Sequence, residues 1–358
     1  MDSMGIGKGN VNKSFWNNKK VFITGHTGFK GSWITLWLMN MGSIVKGFAL
    51  VPNTIPSLFN QLNLKKEINS TTGDIRDLKN LTNSMVNFNP DILIHMAAQP
   101  LVRFSYQEPI QTYTTNVIGT ANVLEASRKC KNLKSIISVT SDKCYENREI
   151  TRGYKENEAM GGHDPYSSSK GCAELVTSAY KRSFFNCSNS ASIASVRAGN
   201  VIAGGDWSKD RLIPDIIRAF EKSEKVVVRN PNSIRPWQHV LEPLSGYLVL
   251  AEKLYLYGDQ FSGGWNFGPN DEDCKSVRWI LDEMVHLWGD NAGWCLDNND
   301  NPHESTFLKL DCSKAKRLLK WEPKLNLEQT LSSIVEWHKV FSFGGNIKEQ
   351  CIKEINEY

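Results

Sequence analysis

Glycines at positions 25, 28 and 31 stand directly between the β-prone run Val21-Phe22-Ile23-Thr24 and the apolar-rich stretch Trp33-Ile34-Thr35-Leu36-Trp37-Leu38-Met39. Strand, glycine turn and helix in that order leave little freedom: the chain must start a parallel α/β unit whose first turn is bare backbone. Bare backbone lets phosphate oxygens approach the amides at a helix N-terminus, where the positive end of the helix dipole favours them, so the turn suits a dinucleotide pyrophosphate. Gly25, Gly28 and Gly31 are expected at that cofactor together with Phe29, and His26 and Lys30 are expected to add phosphate contacts. The acidic residue that usually binds the adenosine ribose lies about 20 residues beyond such a turn. Here Ala49-Leu50-Val51-Pro52 occupy the region, which leaves the ribose to backbone or to a neutral group such as Asn53 and leaves NAD versus NADP open. Asp74, followed by Ile75 in Gly73-Asp74-Ile75-Arg76-Asp77, is placed near the adenine, with a turn-forming or helix-capping aspartate as the alternative.

Strand patterns recur at 43–48, 91–96, 134–139 and 192–198, with helical patterns between them at 115–128 and 167–181. This alternation predicts a doubly wound parallel α/β sheet of the Rossmann type. Beyond about residue 200 the rhythm changes to Gly204-Gly205-Asp206-Trp207, a helix over 214–222 and Arg229-Asn230-Pro231-Asn232, which predicts a smaller, interleaved C-terminal substrate domain. The segment 239–255 is read as a helix returning to the sheet. The expected division is a cofactor domain at 15–190, joined by 236–268, a substrate domain at 191–235 and 269–345, and tails at 1–14 and 346–358.

Composition narrows the partners. The 42 Lys+Arg against 38 Asp+Glu leave a formal charge of +4, too slight for a nucleic-acid binder, and no basic run stands out. No apolar stretch is long enough for a signal or a membrane span, so a cytoplasmic location without membrane contact is expected. The eight cysteines show no Cys-x-x-Cys pair and no accompanying histidines at ligand spacing, so reduced structural thiols and no metal are expected.

Tyr166 and Lys170 stand four apart in Tyr-Ser-Ser-Ser-Lys, about 135 residues beyond the glycine turn, and four residues along a helix bring two side chains to one face. A phenol titrates near pH 10, and a neighbouring ammonium with an oxidised nicotinamide is expected to lower that value. Tyr166 is then able to take a proton from a substrate hydroxyl while the carbon beneath yields a hydride. Between the turn and this pair, the strand Ile136-Ile137-Ser138-Val139 delivers Thr140-Ser141-Asp142-Lys143 at its carboxyl end, the edge where open α/β sheets gather catalytic residues.

The glycine turn, Met96-Ala97-Ala98-Gln99, Asn116, Ser141 and the Tyr166/Lys170 pair together resemble the extended short-chain dehydrogenase/reductase family. The resemblance adds Ala97, Ala98, Gln99 and Asn116 to the expected NAD contacts, with Tyr166 and Lys170 shared between cofactor and chemistry. Within that family, Gly25-His26-Thr27-Gly28-Phe29-Lys30-Gly31-Ser32-Trp33, Ser141-Asp142-Lys143-Cys144-Tyr145 and Arg235-Pro236-Trp237-Gln238-His239-Val240 are similar to the CDP-glucose 4,6-dehydratases. That likeness implies oxidation at sugar carbon 4, loss of water from carbons 5 and 6, and return of the hydride to carbon 6.

In this scheme Ser141 hydrogen-bonds the reacting oxygen, Asp142 protonates the departing hydroxyl, and Lys143 occupies the place of a carboxylate base. Lys143 acts either as a base of depressed pKa or as a cation stabilising an enolate; a surface ion pair is the plain alternative for Asp142. The resemblance also sets Arg103, Asn200, Arg211, Leu212, Pro214, Arg229 and Arg235 beside the nucleotide-sugar (CDP-glucose) and implies a homodimer through the helices at 115–128 and 167–181. For Trp207 and Trp237, pocket lining competes with core packing. Three other readings stay open: a dTDP-glucose or GDP-mannose dehydratase, a nucleotide-sugar 4-epimerase indifferent to Asp142 and Lys143, and an NAD-sensing protein without chemistry.

Overall fold

The side chains of Lys20–Thr24, strand β1, alternate between two cores. Val21 and Ile23 join Trp33 and Ile34 of the helix Phe29–Asn40. Phe22 points the other way, into a cluster with Phe48, Leu93 and Ile136. Both faces are therefore apolar, as a parallel sheet covered on both sides requires. The computed structural model describes residues 9–187, 190–289, 292–297 and 308–358; residues 1–8 of the expected N-terminal tail, and 188–189, 290–291 and 298–307 of the expected domains, lie outside the described residues.

The further strands are β2 (Ile44–Ala49), β3 (Asn69–Thr72), β4 (Ile92–His95), β5 (Ser135–Val139), β6 (Ser192–Ala198), β7 (Asn200–Ile202), β8 (Val226–Val228), β9 (Ile234–His239), β10 (Gly263–Phe267), β11 (Cys274–Ser276) and β12 (Trp294–Leu296). Seven of them form one sheet in the order β3-β2-β1-β4-β5-β6-β10, parallel throughout. The order reverses between β1 and β4, which opens the crevice at their carboxyl ends where such sheets bind ligands.

β6 belongs to this sheet, pairing Ser138 with Ser195 across β5. The division expected at residue 191 is thus corrected: the chain leaves the sheet only after Ala198. The helix expected over 239–255 is Leu241–Tyr257. It starts later because His239 is still paired with Ile202 in β9, and Leu241 to Leu254 are buried without a break. The stretch 346–358 is no tail either. Asn346 caps the helix Ile347–Glu357, which buries Ile347, Cys351 and Ile355, and the Tyr358 hydroxyl donates to Glu242 at 2.8 Å. Trp16, inside the short helix Lys13–Trp16, is fully buried.

A second layer holds the three-stranded β11-β9-β7 sheet and the two-stranded β12-β8 sheet. Its core joins Ile213, Ile216, Phe220, Trp237, Leu281 and Leu331. Trp237 is buried and donates its indole N–H to the Lys275 carbonyl at 3.1 Å. Trp207 packs edge-on against Trp337 and Phe341. Both tryptophans serve packing. No helix among the described residues is long and apolar enough to cross a membrane, and no group of three His, Cys, Asp or Glu among them converges as for a metal ion.

Candidate active site

The three turn glycines meet different demands. Gly25 sits at φ +78°, and a Cβ there would lie 2.6 Å from the Ala97 amide nitrogen. A Cβ on Gly31 would lie 2.1 Å from the Gly25 carbonyl oxygen. Gly25 and Gly31 are thus fixed by the protein's own backbone, whereas a Cβ on Gly28 would meet nothing closer than 3.5 Å. Gly28 is the N-cap of the helix Phe29–Asn40 and offers no side-chain cap. The first helical amides therefore have no partner of their own and face open space, which is the cradle a pyrophosphate requires.

His26 departs from expectation. Its ring is fully buried, lies under Gly47, and shares a 2.7 Å hydrogen bond with the Ser70 hydroxyl. Burial pulls its pKa down to about 4. The neutral ring is packed between β2 and β3 with its Nε2 on Ser70, and its Nδ1 is buried without a partner among the described residues. Lys30 turns inward as well: its ammonium is 5.8 Å from the Tyr247 ring centroid. Burial, then the charges of Arg211 and Lys170, lower its pKa to about 7 against the opposing pull of Asp142. Lys30 therefore looks into the catalytic cluster rather than out over the turn.

Beyond β2, Leu50 and Val51 are exposed, and the Leu50 carbonyl accepts from the Thr27 hydroxyl at 2.8 Å. Asp74 follows β3, and its carboxylate is gripped by the Arg76 guanidinium and accepts from the Arg76 amide at 2.9 Å. The Arg76 fork holds its pKa below the usual range. Asp74 thus makes the turn that was its alternative, while Ile75 is buried against Gly119.

Asn116 is held by the protein itself. The helix expected at 115–128 begins as a π turn, Thr114–Ile118, and becomes α-helical at Gly119–Ser127. Its amide group accepts from the Gln99 N–H at 2.8 Å and donates to the Gln99 carbonyl at 3.1 Å and to the Ser169 hydroxyl at 2.8 Å. At 2% exposure Asn116 is buried among these partners. It ties the segment after β4 to the helix of Tyr166. Gln99 spends its own side chain on Leu101 and Thr112. Ala97, whose amide donates to the Thr24 hydroxyl at 3.2 Å, packs against the Phe22 and Phe48 cluster, and Ala98 beside it is half-buried.

At the carboxyl end of β5, Ser141 is extended at φ −165° and caps the short turn Asp142–Cys144. Its hydroxyl accepts from the Lys143 N–H at 3.2 Å and donates to the Asp142 carboxylate at 2.9 Å. Asp142 is 2% exposed. The Lys143 ammonium, 3.9 Å from that carboxylate, keeps a third of its surface in solvent.

Across from this turn runs the helix Pro165–Phe184, started by Pro165 and by Asp164, whose carboxylate caps Ser167 at 2.9 Å. The cap puts Tyr166 in the first turn and Lys170 one turn on, both buried. The Lys170 ammonium donates to the Val139 carbonyl at 3.4 Å, and burial lowers its pKa to about 8. Burial also pushes the Tyr166 phenol up to about 12, outweighing the neighbouring Ser141 hydroxyl and the Arg211 charge. The lowering expected from Lys170 and an oxidised nicotinamide together is left for the bound cofactor to supply: the protein alone stores the phenol in its protonated form.

Only part of the expected substrate side converges here. Arg211, ion-paired to Asp206 at 2.9 Å, acts electrostatically on both Tyr166 and Lys30. It caps the helix Leu212–Glu221, whose first turn holds half-buried Leu212 and buried Pro214. Arg103 and Asp210 form a half-exposed pair at 3.2 Å. Asn200 opens β7 beside Trp237, and Arg235 lies on β9 with its guanidinium on the Ile234 carbonyl at 3.0 Å. Arg229 follows β8 in the separate two-stranded sheet.

Gly199 carries no sequence signal of its own. A Cβ on it would lie 3.3 Å from the Asp142 carboxylate and 2.9 Å from the Pro236 ring, so this glycine joins the substrate layer to the acid. Tyr247, with a buried hydroxyl that has no partner, was equally unmarked.

The GDP-mannose 4,6 dehydratase family matches residues 22–334. The chain is 58% identical over 352 residues to a CDP-glucose 4,6-dehydratase of Salmonella typhimurium, covering 97% of this chain and 98% of that protein. It is 24% identical to a dTDP-glucose 4,6-dehydratase of Haemophilus influenzae, over 89% and 97% of the two chains. Among solved structures, a Thermotoga maritima UDP-glucose 4-epimerase with UDP-glucose superposes at TM-score 0.77, with 22% identity over 90% of this chain and 99% of that one. A Bacillus anthracis dTDP-glucose 4,6-dehydratase in complex with NAD superposes at 0.75, with 20% identity over 92% and 99%. The match takes in the glycine turn, the end of β5, the Tyr166 helix and the substrate layer alike, and the chain belongs to the GDP-mannose 4,6 dehydratase family.

Proposed function

We propose that this protein is an NAD-dependent CDP-glucose 4,6-dehydratase, forming CDP-4-keto-6-deoxyglucose. The observation that carries the reading is Asp142: a buried carboxylate hydrogen-bonded to Ser141, beside the Tyr166/Lys170 pair, where simple alcohol oxidation at carbon 4 needs no acid. The choice of cytidine rests on the contrast between 58% identity to a CDP-glucose enzyme and 24% to a dTDP-glucose enzyme.

The uncapped helix at Gly28 and the bare backbone around it fit a dinucleotide. Bound there, NAD supplies the acceptor, and later the donor, of one hydride. Tyr166 takes the proton of the carbon 4 hydroxyl; the ammonium of Lys170, held on the Val139 carbonyl, favours the phenolate that results. Ser141 presents its hydroxyl to the reacting oxygen. The ketone acidifies the carbon 5 proton, and Asp142 gives a proton to the carbon 6 hydroxyl so that it leaves as water. Lys143, beside that carboxylate and one-third exposed, takes the carbon 5 proton as a neutral amine and then, as an ammonium, stabilises the enolate. A hydride to carbon 6 and return of that proton from Lys143 to carbon 5 complete the turnover. Arg211, whose charge acts on both Tyr166 and Lys30, is the proposed diphosphate partner nearest the reacting set, and Arg103, Asn200, Leu212, Pro214, Arg229 and Arg235 are the further proposed substrate contacts.

A second copy of the chain is the proposed partner, seated on the exposed Ile110, Ile118 and Leu175 of the helices that flank the site. The test is to supply protein and NAD separately with CDP-glucose, dTDP-glucose and GDP-mannose and to follow the alkaline absorbance of a 4-keto-6-deoxy product. Product from CDP-glucose alone is expected. Product from another donor would overturn the base, and an epimerised sugar without that absorbance would overturn the dehydration.

A further inference from the structure

Three successive residues at the end of β5 are held by three successive turns of one helix. The Val139 carbonyl accepts from Lys170 at 3.4 Å, the Ser141 hydroxyl faces the Tyr166 phenol, and the Thr140 hydroxyl donates to Glu174 at 2.5 Å. Tyr166, Lys170 and Glu174 are spaced four apart and lie on one buried face. Glu174 also accepts from the Ser195 hydroxyl at 2.6 Å and from two nitrogens of Arg197 at 2.8 Å each. Arg197 is itself fixed by the Tyr145 hydroxyl at 2.5 Å and the Glu156 carbonyl at 3.1 Å. Glu174 and Arg197 are 5% and 3% exposed.

A buried ion pair of this kind is a poor source of stability, since an apolar pair of the same volume is often as good. What it supplies here is geometry. A carboxylate only accepts, and this one meets four donors from the end of β5, from β6 and from the guanidinium, so it fixes the spacing of strand end, neighbouring strand and helix at once.

We propose that Glu174, locked by Arg197, is a positioning residue for the reaction, holding Thr140 and hence Ser141 and Asp142 at their reach from Tyr166 and Lys170. The inference rests on the reading of those four residues as the reacting set. Glu174 is also the anion that supports the Lys170 ammonium from the far side. The other charged or titratable groups around the two are Arg197 on β6, Cys144 and Asp142 after β5, His95 on β4 and Lys30 on the glycine-turn helix, with Glu156 and Lys314 beyond Arg197.

The experiment uses the full chain with NAD and CDP-glucose and four variants. Thr140→Val removes one hydrogen bond and strands no charge; kcat is expected to fall about tenfold with KM within about twofold, the signature of a sub-ångström misplacement. Glu174→Gln is expected to lower kcat about a hundredfold and to move the alkaline fall in rate to lower pH, because Lys170 loses its supporting anion. Glu174→Gln with Arg197→Met removes both charges and leaves no guanidinium buried without its partner; kcat is expected to stay low and the alkaline fall to stay at the lower pH, since Arg197 does not act on Lys170. If Glu174→Gln does not fold, Thr140→Val decides alone. Wild-type kcat in Thr140→Val, or a Glu174→Gln protein that loses only thermal stability or only raises KM, would overturn the proposal. Tyr166→Phe serves as the control: if it turns over at the wild-type rate, the reacting set is misread, and that failure is separate from any result at Glu174.

Discussion

Replacing Gly199 by alanine adds one methyl group at the point where the substrate layer touches the acid. The new Cβ would stand 2.9 Å from the Pro236 ring and 3.3 Å from the Asp142 carboxylate oxygen. Gly199 is not among the residues of positive φ, so alanine meets no backbone strain, only contact. Pro236 is buried in β9, so the strand is slow to yield, and overpacking of this kind costs about 1–3 kcal/mol. The carboxylate, held by the Ser141 hydroxyl alone among neutral donors, is the easier part to move. A shift of a few tenths of an ångström places it between no effect and the roughly hundredfold loss of a full ångström, so kcat is expected to fall about tenfold. The loss should fall on dehydration and spare oxidation, which does not use Asp142. In a single turnover with stoichiometric CDP-glucose, the near-ultraviolet absorbance of reduced nicotinamide should therefore rise and persist in Gly199→Ala where it is brief in the parent. A variant that melts earlier by the expected amount yet clears reduced cofactor at the parent rate would refute the link between Gly199 and the acid.

Asp142→Asn keeps the shape and removes the proton; a loss of about 10²–10⁴ in kcat with accumulation of reduced cofactor is expected, whereas an epimerase would be indifferent. Gly28→Ala, whose Cβ meets only an ordinary 3.5 Å contact with the Gly25 carbonyl oxygen, should keep the parent melting temperature yet raise the NAD dissociation constant at least tenfold, read by titration without substrate. Gly25→Ala, at φ +78° and 2.6 Å from Ala97, should instead fail to accumulate as folded protein. The rate should decline as pH rises through about 8, where the buried Lys170 loses its proton, and Lys170→Arg should remove that limb. In acid, His26 and His95, lowered by burial to about 4 and about 3, stay neutral in the fold while the unfolded chain binds protons. Their contribution is thus complete above the unfolded value near 6.5 and is lost as pH falls from there, up to a few kcal/mol each, which denaturant melts at pH 7 and pH 5 will measure.

The parts of the site carried by local signals were legible in the sequence. Three glycines between a strand and a helix, a tyrosine and lysine one turn apart, and a polar tripeptide at a strand end each declare their geometry within a few residues. What was not legible depends on where a side chain turns after the backbone is placed. His26 and Lys30 flank the same turn, and only the packing of Gly47 and Ser70 beside one and of Tyr247 beside the other shows that both leave it. Asn116 looked free because its partners, Gln99 and Ser169, are 17 and 53 residues away. How high the Tyr166 phenol lies before a cofactor joins it was not legible either, because burial, which spacing does not report, outweighs the Arg211 charge. The misplaced boundary at 191 has the same origin: the pattern 192–198 reads as a strand, but which sheet receives it is a long-range fact. Glu174, one turn beyond Lys170, was visible as a spacing and unremarkable until Arg197 was found opposite.

The pairing of β10 with β6, Gly263 against Ala194 and Phe267 against Ala198, has a consequence for how the molecule is made. The two strands are neighbours in space, yet β7, β8 and β9 are synthesised between them. During translation β6 must wait with one edge open until residue 267 has left the ribosome, and the loop to be closed spans more than sixty residues, so this step is non-local and slow to nucleate. Gly199 needs no such wait, since the register that sets Val139 against Val196 carries it to Asp142 as soon as β6 joins β5. What waits is the outer edge of the sheet. A nascent chain stalled before that point will present an unpaired β6 edge to its neighbours.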